Sequence, residues 1–113
     1  MSLSGGVTEL SFPLFAPIVA SASGATTIVT NAFPLRKLRV IAANVIASNA
    51  VNVKWQTSTG PVDLTGLAYL TTNGGYILPY NAIGWFETLQ GDNLLINLSG
   101  AIPVGGHITY ILP

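Results

Sequence analysis

The stretch AVNVKWQT, residues 50–57, has the clearest structural pattern in the sequence, because apolar and polar side chains alternate along it. The apolar set is Val51, Val53 and Trp55, and the polar set is Asn52, Lys54 and Gln56. Successive side chains of a β-strand point to opposite faces, so the alternation predicts a strand with one face in a core and the other toward solvent. We therefore expect a β-sheet protein.

The preceding stretch LRVIAANVIAS, residues 38–48, is apolar at both alternating sets of positions. A strand of this kind is expected to be covered on both of its faces. In a two-layer domain the second cover comes either from a neighbouring subunit or from a loop or arm of the same chain. Both alternatives are open at this point.

The rest of the chain repeats short segments rich in Val, Ile, Thr and aromatic residues, separated by Gly, Asn and Pro. This spacing is typical of an all-β sandwich or barrel. Strands are predicted near 25–31, 36–48, 50–58, 66–72, 75–79, 84–89, 93–99 and 106–112. About eight strands indicate a single-domain, jelly-roll-like antiparallel β-sandwich.

Turn residues mark the connections between these strands. Ser48-Asn49 and Asn73-Gly74-Gly75 predict tight hairpins, because Asn and Gly tolerate the left-handed backbone conformation that such turns need. The segments TSTGP at 57–61 and GDN at 91–93 supply further turns.

The first twenty residues differ from the rest, since Pro13 and Pro17 interrupt an apolar run. Proline is confined to edge or irregular positions of a sheet. We therefore divide the chain into an extended N-terminal arm, residues 1–20, and a β-sandwich domain, residues 21–113. The apolar residues of the arm are candidates for contact with a partner: Leu10, Phe12, Leu14 and Phe15.

The composition narrows the function classes. Four Lys and Arg balance four Asp and Glu among 113 residues, so no net field attracts nucleic acid, and we expect no nucleic-acid partner. The apolar segment 38–47 is too short for a membrane span, which needs roughly 20 residues, and no membrane partner is expected.

Charged residues make up 7% of the chain, against about 25% in an ordinary domain. Such a surface is covered by uncharged polar side chains or buried against other chains.

Several residues invite a chemical interpretation. Glu87 and Asp92 could form the carboxyl pair of a glycosidase, but their positions in a predicted strand and in a Gly-Asp-Asn turn favour a structural role. His107 could belong to a catalytic triad, but the sequence contains no G-x-S-x-G motif that would supply the nucleophilic serine. The spacing of the acids matches no zinc or EF-hand site, although a calcium site at the Asp92-Asn93 turn is an alternative. We expect no catalytic residue, metal or other cofactor.

Two further groups are candidates for binding. Arg36, Lys37 and Arg39 form the single cluster of cations in the sequence, suited either to a solvated strand end or to an acidic patch on a partner protein. The aromatic residues are candidates for a sugar-stacking platform or for the core: Trp55, Trp85, Tyr69, Tyr76, Tyr80 and Tyr110.

The order of these segments resembles a family of small β-sandwich proteins from the structural-gene clusters of tailed bacteriophages and prophages. The resemblance runs through SASGATTIVT, AVNVKWQT, TSTGPVDLTG, NGGYILPYNAIGWFET and GDNLLINLSGAIPVGGHITYIL. Within this family the chain is most similar to capsid decoration, or cement, proteins. The resemblance covers residues 21–112 and contains no catalytic signature.

The resemblance implies a non-enzymatic virion protein on the capsid surface, a homotrimer whose partner is the major capsid protein or another virion protein. The arm and the strand at 36–47 would then supply the contacts. A phage tail or fibre module that binds a host receptor or carbohydrate is the alternative that the same resemblance allows.

Overall fold

In the computed structural model, residues 10–113 are described, and they form ten β-strands and no helix. The strands in chain order are β1 (Leu10–Ala20), β2 (Gly24–Val29), β3 (Arg39–Ala47), β4 (Val51–Thr57), β5 (Val62–Asp63), β6 (Ala68–Leu70), β7 (Gly75–Leu78), β8 (Phe86–Glu87), β9 (Leu94–Leu98) and β10 (Val104–Leu112). Each of the eight predicted strand regions contains one of them. The additional two are β1, inside the predicted arm, and the short β5.

The strands assemble into two antiparallel five-stranded sheets. Sheet A has the order β1-β10-β3-β7, with β8 also paired to β3, and sheet B has the order β2-β9-β4-β5, with β6 also paired to β4. Consecutive strands mostly alternate between the sheets, which is the topology of a jelly roll. The predicted all-β, jelly-roll-like antiparallel sandwich is confirmed.

The core lies between the sheets, and Trp55 of β4 is its largest fully buried side chain. The indole Nε1 of Trp55 donates a hydrogen bond of 3.1 Å to the hydroxyl of Tyr76 on β7. Its ring also packs against Phe86 of β8, with 5.6 Å between ring centroids. Trp55 therefore ties sheet B to sheet A. The predicted alternation of β4 is confirmed for residues 51–55, but Gln56, which was predicted to face solvent, is buried.

The expectation that β3 is covered on both faces holds only in part. Val45 and Ala47 are buried in the core, and Ile41 is buried as well. Ile46, on the opposite side of the strand, is 53% exposed. Because the outer side of sheet A has no third layer over this end of β3, the described part of one chain leaves the second face of the strand open there.

The predicted hairpins at Ser48-Asn49 and Asn73-Gly74-Gly75 are wrong. The first connects β3 of sheet A to β4 of sheet B, and the second connects β6 of sheet B to β7 of sheet A. Asn73 does adopt the left-handed conformation, with a φ of 57°. Turn residues report local backbone shape, which is the same whether a turn joins paired strands or crosses between sheets. The TSTGP turn is a true hairpin, since β4 and β5 pair.

Residues 10–20 of the predicted arm form the edge strand β1, which pairs along β10 from Phe15↔Thr109 to Ala20↔Val104. Pro13 and Pro17 thus occupy an edge strand, where proline is tolerated. Residues 1–9 of the predicted arm lie outside the described residues.

Candidate interaction surface

The register of sheet A places one set of side chains on its outer side, away from the core. Val19, Gly105, Ile46 and Gly75 form one cross-strand row; Pro17, His107, Asn44 and Ile77 form the next; Phe15, Thr109 and Ala42 form a third. We call these eleven residues the outer A face. Residues distant in sequence are brought together here by strand pairing alone.

Large apolar side chains on this face are open to solvent. Phe15 and Val19 on β1 are 75% and 74% exposed, and Ile77 on β7 is 73% exposed. Together with Ile46 they form a group on three strands. Isolated exposed apolar residues are ordinary, but a contiguous group of them marks a surface that contacts another molecule.

The outer A face contains no Lys, Arg, Asp or Glu. His107 is its one titratable side chain, and its backbone N–H donates a 2.9 Å hydrogen bond to Oδ1 of Asn44 on the neighbouring strand. Depletion of charge is the compositional mark of the buried centre of a protein interface.

A charged rim borders this face at one end. The pairings Ile111↔Arg39 and Arg39↔Glu87 place the next row there. Glu87 accepts hydrogen bonds from Arg39 Nε at 2.9 Å and from Lys37 Nζ at 3.1 Å. Partial burial raises the pKa of Glu87, but the hydrogen bonds and positive charges of Lys37 and Arg39 outweigh it and hold the pKa below its ordinary value. An apolar centre with a polar rim is the usual plan of an interface.

Two open grooves run along the other end of the face and meet at Ile46 and Asn73. One, of about 510 Å³, lies between Val19 and Ile46 with Gly105 between them. The other, of about 390 Å³, lies between Ile46 and Ile77 across Gly75. Gly105 and Gly75 have no side chain to fill these spaces. In this row, the projecting side chains of Val19 and Ile46 therefore alternate with grooves at the two glycines.

Gly75 is required by close packing. A Cβ on Gly75 would collide with the carbonyl oxygen of Val45 on the paired strand β3. The same problem arises at Gly106, which has a φ of 127° and would place a Cβ against the carbonyl of Asn44. The low ground at Gly75 is therefore built into the pairing of β7 with β3. Gly106 lies outside the outer A face, and a Cβ on Gly105, which belongs to the face, would have only the Ile18 carbonyl oxygen nearby, at 3.9 Å.

The edge of sheet A is closed to strand addition along β1. Pro17 pairs with His107 in the register and has no N–H to donate, so the outward backbone groups at this end of the strand lack one donor. Pro13 removes another. Proline on an edge strand is a common way of preventing edge-to-edge association, which leaves the face of sheet A, and not this edge, as the accessible surface.

The outer side of sheet B is different, because its polar side chains bind one another. Asn97 Nδ2 donates to Gln56 Oε1 at 3.2 Å, and Gln56 Nε2 donates to Asp63 Oδ1 at 2.8 Å. Lys54 Nζ also binds Asp63, at 3.2 Å. The hydrogen bond from Gln56, followed by that from Lys54, lowers the pKa of Asp63 below its ordinary value. Gln56 is buried within this network, whereas Asp63 at its end is exposed.

The carboxylate of Asp92 organises a turn. It accepts hydrogen bonds from the hydroxyls of Thr57 and Thr59, both at 2.6 Å, and from the Thr59 N–H at 2.9 Å. Burial raises the pKa of Asp92, but these hydrogen bonds outweigh it and lower the pKa. A glycosidase acid needs a raised pKa, and the pKa values of Asp92 and Glu87 are both lowered.

The side-chain oxygens of the predicted calcium site at Asp92-Asn93 already accept hydrogen bonds from protein donors, so they are not free to bind a cation. Asn93 Oδ1 accepts a 2.9 Å hydrogen bond from the N–H of Asn31. Within residues 10–113, no three His, Asp or Glu side chains gather into a metal-binding group. The same part of the chain contains no helix long and apolar enough to span a membrane.

The predicted aromatic platform is divided by the fold. Trp55 is in the core, whereas Tyr69 and Tyr80 are exposed on separate segments. Trp85 is 43% exposed and borders a pocket of about 320 Å³. The pocket is lined by Thr65, Gly66, Leu67, Ala68, Tyr76, Leu78, Trp85 and Phe86. The indole N–H of Trp85 donates to the carbonyl of Pro79 at 2.9 Å, which fixes one ring at the pocket mouth.

The structure does not bring all the predicted partner-contact residues together. Phe15 lies on the outer A face, and Lys37 and Arg39 lie in its rim. Phe12 is exposed near the start of β1, while Leu14 packs against the core. Arg36 lies in the loop before β3, where its carbonyl accepts from Asn31 Nδ2, and the Leu10 side chain lies outside the described part.

Val19 and Ile46 belong to the arm and to the 36–47 strand that were predicted to supply contacts, although neither was named individually. The signal for Ile46 was the two-sided apolar pattern of β3. Ile77 was not predicted, because its position near Ile46 depends on strand pairing between distant parts of the chain.

Comparison with known proteins adds little to this geometry. No protein-family model and no curated protein matches the sequence. Among solved structures, the chain is similar to the crystal structure of PirA with a TM-score of 0.37 and 11% identity, over 99% of this chain and 100% of that one. A similarity of this size supports no conclusion about function.

Proposed function

We propose that the protein is a non-enzymatic structural component of a phage virion, a decoration or cement protein that binds the head shell as a trimer and stabilises it. The observation that carries the proposal is the outer A face, an apolar and uncharged surface with a charged rim. The phage resemblance of the sequence and the jelly-roll topology support it. Jelly rolls occur among viral capsid and lectin domains, and a fold by itself decides no function.

The stabilising mechanism follows from linkage. A protein that binds the assembled shell, and not its separated subunits, shifts the equilibrium toward the shell by mass action. Contacts from β1 and from the 36–47 segment would bridge neighbouring shell subunits, with the major capsid protein as partner.

The test is to induce particles from the organism that carries the gene and to band them on a density gradient. We expect the protein in the particle band, in a fixed ratio to the major capsid protein, and immunogold label on the heads. Particles lacking the protein should lose DNA at a lower temperature. Absence of the protein from intact particles would overturn the proposal.

A second candidate is a tail or fibre module that binds a host carbohydrate, and the pocket beside Trp85 favours it. Aromatic rings stack on the apolar faces of sugars, and a half-exposed indole at a pocket mouth suits this contact. Immunogold label on tails, together with glycan-array binding that is lost in Trp85→Ala and kept in Tyr69→Ala, would favour this candidate over the first.

A further inference from the structure

We propose that the outer A face is the contact between copies of this chain, so that the face of one copy packs against a second copy. This deepens the proposed function, from which it takes only the assumption that copies associate. It assigns the outer A face to a two-fold contact between copies. The shell contact then falls to the exposed residues of β1 and of the 36–47 segment that lie outside this face, such as Phe12 and Lys37.

The size of the face sets how much of its border a contact must include. The face covers residues 42–46 of β3 and 105–109 of β10, which corresponds to about 17 Å of strand, and four adjacent strands span roughly 19 Å. The flat area is then on the order of 300 Å², so a stable interface of roughly 800 Å² per partner would also include the rim and the adjoining loops.

The charge pattern favours a second copy as the occupant. A charged partner surface would leave its charges unpaired against the outer A face, at a cost of several kcal/mol in unfavourable cases. The outer A face of another copy is equally uncharged, and the chain has no net charge that would keep copies apart. A second copy therefore meets the charge requirement without any further assumption.

The relief of the face also suits packing against another layer of β-structure. Phe15 and Val19 form a ridge on β1, while Ile46 projects from β3 and Ile77 from β7. One groove lies between Val19 and Ile46 at Gly105, and a second lies between Ile46 and Ile77 at Gly75. Sheets pack with interdigitating side chains about 10 Å apart. Pro13 and Pro17 meanwhile disfavour association through the β1 edge.

The experiment measures solution mass by size-exclusion chromatography with light scattering, on the full chain, from about 1 to 200 μM. We expect a mass that is an even multiple of the 11.8 kDa chain, because a face that packs against the same face of a second copy joins copies in pairs. Ile77→Asp and Val19→Asp bury a charge in the contact and should weaken association by roughly 100-fold or more. Thr27→Asp, an exposed strand position of the outer side of sheet B, is the matched control and should leave the mass unchanged.

A second measurement covers the case in which a variant fails to fold. The chain has no cysteine, so Val19→Cys and Thr27→Cys each introduce a single thiol. Maleimide labelling of Val19→Cys should be at least about tenfold slower at high than at low protein concentration, because the contact excludes the reagent. Labelling of Thr27→Cys should not depend on concentration.

A monomer over the whole range, or equal labelling of the two thiols, would overturn the inference. So would an oligomer that is unaffected by both Asp variants. The proposed function fails separately: an oligomer that depends on the outer A face but is absent from particles refutes the virion role, whereas a monomer found on particles refutes only this contact.

Discussion

The outer sides of the two sheets differ although the sheets share one core. Sheet B presents polar side chains that satisfy one another, as in the chain of contacts through Gln56 and Asp63. Sheet A presents Phe15, Val19 and Ile77 to solvent without a charged neighbour in their rows. Side chains alternate between the two faces in both sheets, so the sheets differ in the chemistry of their outward-facing residues. These residues are mainly polar on sheet B and apolar on sheet A, and an apolar surface is suited to contact with another protein.

The largest expected effect in the free energy of unfolding is at the floor of the outer A face. Gly75→Ala forces a Cβ against the Val45 carbonyl, so β7 must shift, and we expect a destabilisation of about 2 kcal/mol or more. Gly66→Ala is the matched control, since open space surrounds its Cβ position, and it should change stability by less than about 0.5 kcal/mol. Urea unfolding at neutral pH measures both. Equal effects would mean that the close approach of β7 to β3 is unimportant.

A smaller effect is expected where sheet B meets the Asp92 turn. The buried Thr57 hydroxyl donates to Asp92 and accepts the N–H of Leu89 at 3.1 Å. Thr57→Val keeps the shape but removes both hydrogen bonds, which should cost about 1–3 kcal/mol. The exposed Thr27→Val is the comparison and should be nearly neutral. A loss below about 0.5 kcal/mol for Thr57→Val would show that water replaces the hydroxyl.

The smallest effect concerns the charged rim, which separates the outer A face from the loop end of the sandwich. The folded-state pKa of Glu87 is lowered, so its contribution is present above the unfolded value of about 4.3 and is lost as pH falls through the folded value. Glu87→Gln should cost about 1 kcal/mol or less at pH 7, because the pair is partly solvated.

The pH dependence separates this contribution from a change in packing. At a pH below the folded-state pKa of Glu87, the wild type and Glu87→Gln should have similar stability, because the wild-type carboxyl is then protonated. Urea unfolding across the acid range measures the difference. A constant difference at every pH would contradict the assignment to charge.

The strands could be predicted from sequence because their signal is local. The alternation in β4 correctly separated Val53 and Trp55 from Asn52, and apolar segments located the remaining predicted strands. The sheet to which each strand belongs could not be read in the same way. Asn73 has the backbone conformation that its sequence predicts, yet its turn crosses between sheets.

Only the border of the candidate surface could be predicted from the sequence, at Phe15 on the edge strand and at Lys37 and Arg39 in the charged rim. Phe15 was found because it belongs to an unusual apolar run, and Lys37 and Arg39 because they cluster. Ile77 has no signal in the sequence, and only the register of β3 and β7 makes it a diagonal neighbour of Ile46.

The position of β10 in sheet A has a consequence for biosynthesis. It lies between β1 and β3 and pairs with both, although it follows every other described strand in the chain. The partners of Phe15 and Ala43 are therefore translated after all the other described strands, and contacts between such distant segments form slowly. While a nascent chain still lacks β10, sheet A is split and its outer surface has no centre. If the outer A face joins copies as proposed, nascent chains on one messenger RNA cannot associate through it until β10 has been synthesised.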